Sequence, residues 1–199
     1  KRVLITGHTG FKGSWLSLWL NRLGAEVHGI SLPADSENCL FIQAEIESIM
    51  SSNNFCDICN LNKLNKFVES IKPEIVFHLA AQPLVIQSYI YPIETWNTNV
   101  IGSLNLLESL KFLNDKCAVI MITTDKVYEN KEWDFGYRED DRLGGKDPYS
   151  ASKAACEIAI SSWRESFCGS KFNQNPNLTI ASARSGNVIG GGDFSKNRI

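Results

Sequence analysis

Two hydrophobic periods alternate along the 199-residue chain. Residues 2–6 form a short β-branched run that stops abruptly in glycines. In residues 14–23, Trp15, Leu16, Trp19, Leu20 and Leu23 recur at helical spacing, and Gly24 follows as a stop. The same reading predicts strands at 26–32, 55–58, 74–80, 117–123 and 178–184. It predicts helices at 39–50, 61–71, 95–113 and 149–167, with Leu61, Leu64, Phe67, Val68 and Ile71 as one apolar stripe closed by Pro73. The continuous apolar run at 74–80 is of the kind buried on both faces of a sheet. Strand and helix alternate throughout, which predicts an α/β fold with a parallel sheet and helices on both faces. Residues 128–148 are a charged, glycine-bearing connection, longer than an inert loop of such a domain needs to be.

Composition narrows the function classes. Lys and Arg total 20, Asp and Glu 22, giving a net charge of −2. That balance argues against a nucleic-acid partner or a polybasic membrane ligand. No apolar run is long enough to span a membrane and no signal peptide opens the chain, so a cytoplasmic location is expected. Six cysteines at 39, 56, 59, 117, 156 and 168 are irregularly spaced, and the single CxxC at 56–59 has no second pair at zinc distance. Reduced, mostly buried thiols and no metal site are the expectation. The chain starts at Lys1 without Met and ends at Ile199 just after a glycine-rich stretch, as a piece of a longer protein would.

The chemistry-bearing motifs come in a fixed order. Gly7, His8, Thr9, Gly10, Phe11, Lys12 and Gly13 join the first strand to the first helix. Glycines at 7, 10 and 13 permit a sharp turn, close approach to a diphosphate, and tight helix–sheet contact, while the helix start offers unpaired N–H groups to the anion. The second strand ends in Ile30-Ser31-Leu32 without the acid that commonly binds a ribose 2′-hydroxyl, and Asp35 comes late. No Arg stands there for a 2′-phosphate, although Lys12 or His8 could reach one, so NAD is favoured over NADP.

Tyr149-Ser150-Ala151-Ser152-Lys153 opens the helix after the long loop and sets Tyr149 and Lys153 on one helical face. A phenol with a pKa of about 10 needs nearby cations before it can act as a base near neutrality. Thr123-Thr124-Asp125-Lys126 ends the preceding strand, where open parallel sheets bind their ligands.

Together these elements resemble the extended short-chain dehydrogenase/reductase family, in its nucleotide-sugar epimerase/dehydratase branch. The resemblance runs through Gly7/Gly10/Gly13, Asp57-Ile58, His78-Leu79-Ala80-Ala81-Gln82, Asn99-Val100-Ile101-Gly102-Ser103, Thr124, Tyr149, Lys153 and Arg184-Ser185-Gly186-Asn187-Val188. Finer features are similar to the CDP-glucose 4,6-dehydratase subfamily: Thr124-Asp125-Lys126, Asn130-Lys131-Glu132-Trp133 and Gly190-Gly191-Gly192-Asp193-Phe194. The dTDP-glucose and GDP-mannose dehydratases carry Glu where Lys126 stands, and the inverting UDP-N-acetylglucosamine dehydratases carry Met where Tyr149 stands. The chain departs from that subfamily's pattern at Ile86-Gln87, where Arg is expected, and at Asn197, where Asp is expected.

The resemblance implies a Rossmann-type, doubly wound domain over residues 1–199. It also implies the start of a substrate-binding region at about 185–199, with the rest of that lobe absent. It implies NAD held by Gly7 to Gly13, Ser31, Asp57, Ile58, Leu79, Ala80, Ala81, Gln82, Thr98, Tyr149 and Lys153. CDP-glucose would meet Gln82, Thr124, Asn187 and Arg198. In the implied reaction Tyr149 takes a proton from the sugar C4 hydroxyl, with Lys153 lowering its pKa and Thr124 bonding the C4 oxygen. Asp125 and Lys126 serve C6 and C5. Adjacent residues on a strand face opposite ways, so both reach one sugar only if the strand has ended by Thr124. A homodimer through helices 95–113 and 149–167 is also implied. The competing readings are an epimerase or another sugar-nucleotide dehydratase of the same fold, and a non-catalytic NAD-sensing module. An epimerase needs no acid–base pair at C5 and C6, and a sensor has no use for the Tyr-Lys pair.

Overall fold

The computed structural model describes residues 1–194. Six strands form one all-parallel sheet: β1 (Arg2–Thr6), β2 (Glu26–Ser31), β3 (Ser52–Phe55), β4 (Ile75–His78), β5 (Cys117–Ile122) and β6 (Leu178–Ala183). Their spatial order is β3-β2-β1-β4-β5-β6, with Ile5 beside both Gly29 and Phe77 in register. Strand order reverses between β1 and β4, so the crevice at their carboxyl ends is the ligand position of a doubly wound sheet. The expected fold class is the one observed.

Side chains on β1 alternate between two cores. Leu4 joins Ile30, Val76, Val119 and Met121 on the face covered by α3 (Leu61–Ile71), α6 (Ser103–Leu110) and α7 (Pro148–Phe167). Val3 and Ile5 join Val27 on the opposite face, under Leu16 and Leu20 of α1 (Phe11–Arg22). The run at 74–80 departs from expectation. Val76 and His78 are buried, but Ile75 and Phe77 are only partly covered, because α1 lies over β1 and β2.

Three other elements differ from the sequence reading. The expected helix at 39–50 is split into α2 (Leu40–Gln43) and a 3₁₀ turn (Ile46–Ile49) by Glu45, whose φ is 49°. Phe41 and Ile46 are both buried yet five residues apart, a spacing that one straight helix cannot bury on one stripe. The third strand lies at Ser52–Phe55 rather than 55–58, since an edge strand with half-exposed polar residues has no apolar signature. The expected helix at 95–113 is α5 (Pro92–Trp96), a π-helical segment (Asn97–Gly102) and α6, preceded by an unforeseen α4 (Val85–Ile90). The wider π turn carries the buried Asn99, and such turns recur at functional sites.

Candidate active site

The glycine loop is packed against the end of β4. A methyl group on Gly7 would lie 2.7 Å from the Ala80 nitrogen and 2.9 Å from the Leu79 carbonyl carbon, and one on Gly13 would lie 2.1 Å from the Gly7 oxygen. Only a residue without Cβ lets the turn, the helix start and the β4 loop approach this closely. Gly10 is the N-cap of α1 and no side chain caps the helix, which leaves the first-turn amides to an anion. This cradle fits a dinucleotide diphosphate.

Side chains around the loop are internally engaged. His8 is fully buried, its Nε2 is 2.7 Å from Asn53 Oδ1, and burial first of all lowers its pKa. It therefore does not extend toward a 2′-phosphate, as the sequence reading allowed. Thr9 Oγ1 donates to the Leu32 carbonyl at 3.0 Å and lies 2.7 Å from Ser31 Oγ, fastening the loop to the end of β2. Asp57 is exposed and caps Cys59 N at 2.8 Å, while Ile58 is buried and touches the space in front of Gly102. The Gln82 amide donates to Thr95 Oγ1 at 2.8 Å and to the Leu84 carbonyl at 3.1 Å, and accepts from Leu84 N at 2.6 Å. Its side chain is committed within the β4 loop.

Beneath the loop runs a buried chain of hydrogen bonds. Ala80 N donates to Thr6 Oγ1 at 3.2 Å, and Thr6 Oγ1 is 2.7 Å from His78 Nδ1. His78 Nε2 is 2.8 Å from Ser103 Oγ, which donates to the Asn99 carbonyl at 2.7 Å. The Asn99 amide then clamps Gln82, accepting from its nitrogen at 2.8 Å, and donates to Ser152 Oγ at 2.9 Å. The β4 loop is thus tied to α7 beside Lys153.

Tyr149 and Lys153 are both buried near the start of α7. Asp147 and Ser150 form a reciprocal capping box, and Pro148 occupies the first turn, so sequence alone dictates where this helix begins. Burial lowers the Lys153 pKa, with Lys12 adding to the effect.

Strand β5 ends at Ile122, and residues 125–127 form a 3₁₀ turn with Thr124 as N-cap. This meets the condition for Asp125 and Lys126 to leave the strand alternation. Thr124 Oγ1 accepts from Lys126 N at 3.3 Å and donates to Asp125 Oδ1 at 3.1 Å. Lys126 Nζ stands 3.8 Å from Asp125 Oδ1, with both side chains about half exposed. The turn packs against α7, which brings Thr124, Asp125 and Lys126 to the same end of the sheet as Tyr149 and Lys153.

Thr98 is half-buried on the π segment, and Asn187 is exposed beyond β6. Arg198 and Asn197 lie outside the described residues. All six cysteines are free thiols, three of them buried. Among the described residues no helix is long and apolar enough to cross a membrane. One feature near the site escaped the sequence reading: Glu157, buried on α7, accepts hydrogen bonds from Thr123, Ser182 and Arg184. Its signal was present, as a carboxylate on the same helical stripe as Lys153, Cys156 and Ile160.

Fold and site together define an α/β domain of the extended short-chain dehydrogenase/reductase type. A family model described as "GDP-mannose 4,6 dehydratase" matches residues 4–176, and the chain belongs to that family. The CDP-glucose 4,6-dehydratase of Salmonella typhimurium is 50% identical over all of this chain and 55% of its own length. A GDP-mannose 4,6-dehydratase of Vibrio cholerae is 27% identical over 84% of this chain and 46% of its own. The solved Thermus thermophilus UDP-glucose 4-epimerase complex with NAD superimposes with a TM-score of 0.75 at 25% identity, covering 92% of this chain and 54% of that one. The chain spans about half the length of the curated relatives it matches.

Proposed function

We propose that this chain is the cofactor-binding and catalytic part of a CDP-glucose 4,6-dehydratase that forms CDP-4-dehydro-6-deoxy-D-glucose and water. The observation that supports the reaction class is the packing of the 124–126 turn, with Asp125 and Lys126 3.8 Å apart, against the helix α7 that carries Tyr149 and Lys153. The choice of CDP-glucose rests on the gap between 50% identity to the Salmonella enzyme and 27% to the Vibrio one.

Gly7, Gly10 and Gly13 would cradle the diphosphate of NAD, with Ser31, Asp57 and Ile58 toward its adenosine half and Tyr149 and Lys153 toward its nicotinamide half. NAD, when bound there, would supply hydride-accepting and hydride-returning chemistry for the sugar C4 and C6. The buried Lys153 ammonium stabilises the Tyr149 phenolate by Coulomb attraction, and that phenolate takes the C4 hydroxyl proton and becomes neutral phenol. Thr124 holds the C4 oxygen. The C4 ketone acidifies the C5 proton, which Lys126 removes while Asp125 protonates the departing C6 hydroxyl, releasing water. A final proton returns to C5.

A second copy of the chain would pack on α5, the π segment and α7, where Ile93, Ile101 and Ile158 are exposed. A cytoplasmic location fits six free thiols. Product analysis of the full-length protein with CDP-, dTDP- and GDP-sugars tests the assignment. The expected result is a 4-keto-6-deoxy sugar from CDP-glucose without net reduced cofactor; stoichiometric reduced cofactor would mark a simple dehydrogenase, and a C4 epimer would mark an epimerase. Sedimentation of that protein tests the dimer.

A further inference from the structure

Arg184 stands where three elements meet. Its Nη2 donates to Glu157 Oε2 at 3.0 Å, while Nη1 donates to Tyr128 Oη at 2.9 Å and to the Glu139 carbonyl at 3.0 Å. Its guanidinium carbon also lies 5.0 Å from the Tyr128 ring centroid. Glu157 sits on α7 one turn beyond Lys153 and two beyond Tyr149, with its side chain 4% exposed. It further accepts from Thr123 Oγ1, just past the end of β5, and from Ser182 Oγ of β6 at 2.9 Å.

A buried carboxylate is costly unless paired and fully hydrogen-bonded, and an apolar replacement of the pair is often as stable. Stability alone is therefore a weak reason for this arrangement, and its geometry is the stronger one. Burial would push the Glu157 carboxyl up, but hydrogen bonds from Arg184, Thr123 and Ser182 outweigh it and hold the group below its ordinary value. The pair stays charged across the neutral range.

Outward from Arg184, contacts organise the long loop. Tyr128 stacks on Tyr137 with centroids 5.0 Å apart, and Trp133 lies 5.5 Å beyond. Tyr137 Oη accepts from Lys131 N at 2.7 Å. Tyr128, on the outgoing limb, is two residues past Lys126, and Glu139 is on the returning limb. One cation thus holds both limbs.

We propose that Arg184, charged against Glu157, is a positioning residue that fixes the 124–126 turn and the 128–147 loop relative to Tyr149 and Lys153. Tyr149 and Lys153 are held independently by the α7 backbone and its capping box. Loss of Arg184 therefore frees the acid–base turn and leaves the Tyr-Lys pair in place. The kinetic part of this proposal rests on the dehydratase reading; the loop-holding part does not.

Arg184→Met and Tyr128→Phe in the full-length protein test it. The second variant keeps the ring stack and cuts only one hydrogen bond, so it remains informative if the first fails to fold. Trypsin digestion of the ligand-free protein reports on the loop through cleavage after Lys131, Arg138 and Arg142. Arg184→Met should be cut there about tenfold faster, and Tyr128→Phe about threefold faster. In single turnovers with CDP-glucose, the rise of reduced-nicotinamide absorbance reports C4 oxidation and its decay reports elimination and return. The decay should slow about tenfold in Arg184→Met with the rise nearly unchanged. Unchanged loop cleavage in both variants overturns the proposal, and so does equal slowing of rise and decay, the mark of general loosening. If the unmutated protein does not process CDP-glucose but loop cleavage responds as expected, the dehydratase reading fails and the positioning role stands.

Discussion

His78 donates from Nε2 to Ser103 Oγ across 2.8 Å, and that bond fixes the tautomer of a buried imidazole. Ser103 already donates to the Asn99 carbonyl, so it can only accept from His78. Nδ1 is then the acceptor of the Thr6 hydroxyl at 2.7 Å. Burial, reinforced by the Lys153 charge, lowers the His78 pKa to about 3.

The sign of the resulting pH dependence follows. Between about pH 6.5 and pH 3 the unfolded chain binds a proton that folded His78 refuses, so stability falls as pH drops through that window. Lowering pH from 7 to 5 should cost about 2 kcal/mol from this residue alone. His8 and His28 are also lowered by burial and add to the slope. Urea unfolding at the two pH values should therefore show a smaller loss in His78→Gln than in the unmutated chain. An equal loss would remove His78 from the account.

Gly13→Ala should damage the cofactor cradle directly. The new methyl would meet backbone at 2.1 Å, and backbone cannot swing aside as a side chain can. Overpacking of this kind costs about 1–3 kcal/mol, and here the strain falls on the diphosphate turn. Thermal unfolding should shift down and NAD binding by calorimetry should weaken by about tenfold or more. Unaltered NAD affinity would mean the cradle holds something else.

Tyr149→Phe should remove C4 oxidation and leave NAD affinity nearly unchanged. The residue sits in a first turn fixed by the Asp147–Ser150 box and Pro148, so loss of one hydroxyl does not move the helix. General acid–base groups are worth about 10²–10⁴ in rate, and a loss in that range is expected with no reduced nicotinamide in a single turnover. Oxidation near the unmutated rate would assign the base elsewhere.

What could be read from sequence was what local pattern encodes. The glycine loop, the capped Tyr-Lys helix and the Thr124-Asp125-Lys126 turn each lie within a few residues, and each sits where the strand–helix alternation placed it. The edge strand at Ser52–Phe55 and the break at Glu45 were not readable, because pairing to Gly29 and Asn-rich polarity leave no period to detect. Nor were the ties that assemble the site, such as Asn99 to Ser152 or Glu157 to Arg184, which join residues 53 and 27 positions apart. His8 shows the same limit from the other side: its place in the loop suggested a ligand contact, and its contact with Asn53, 45 residues on, turns the ring inward.

Lys126 separates the dehydratase from every simpler reading of this fold. It is half exposed, 3.8 Å from Asp125, on a turn anchored by Thr124 rather than by the lysine itself. Its side chain can therefore be shortened in charge without disturbing the Tyr-Lys pair. If Lys126 takes the C5 proton, Lys126→Met in the full-length protein should still oxidise C4 and then stop. The cofactor would remain reduced beside a 4-keto sugar, and solvent deuterium would no longer enter C5. A lysine that only grips the substrate behaves differently: its loss raises KM and slows all steps alike, with no trapped reduced cofactor. Full-rate turnover with normal C5 exchange in the variant would take Lys126 out of the mechanism. It would also leave Asp125 without a partner at C5, and the acid–base turn would then no longer distinguish this chain from an epimerase.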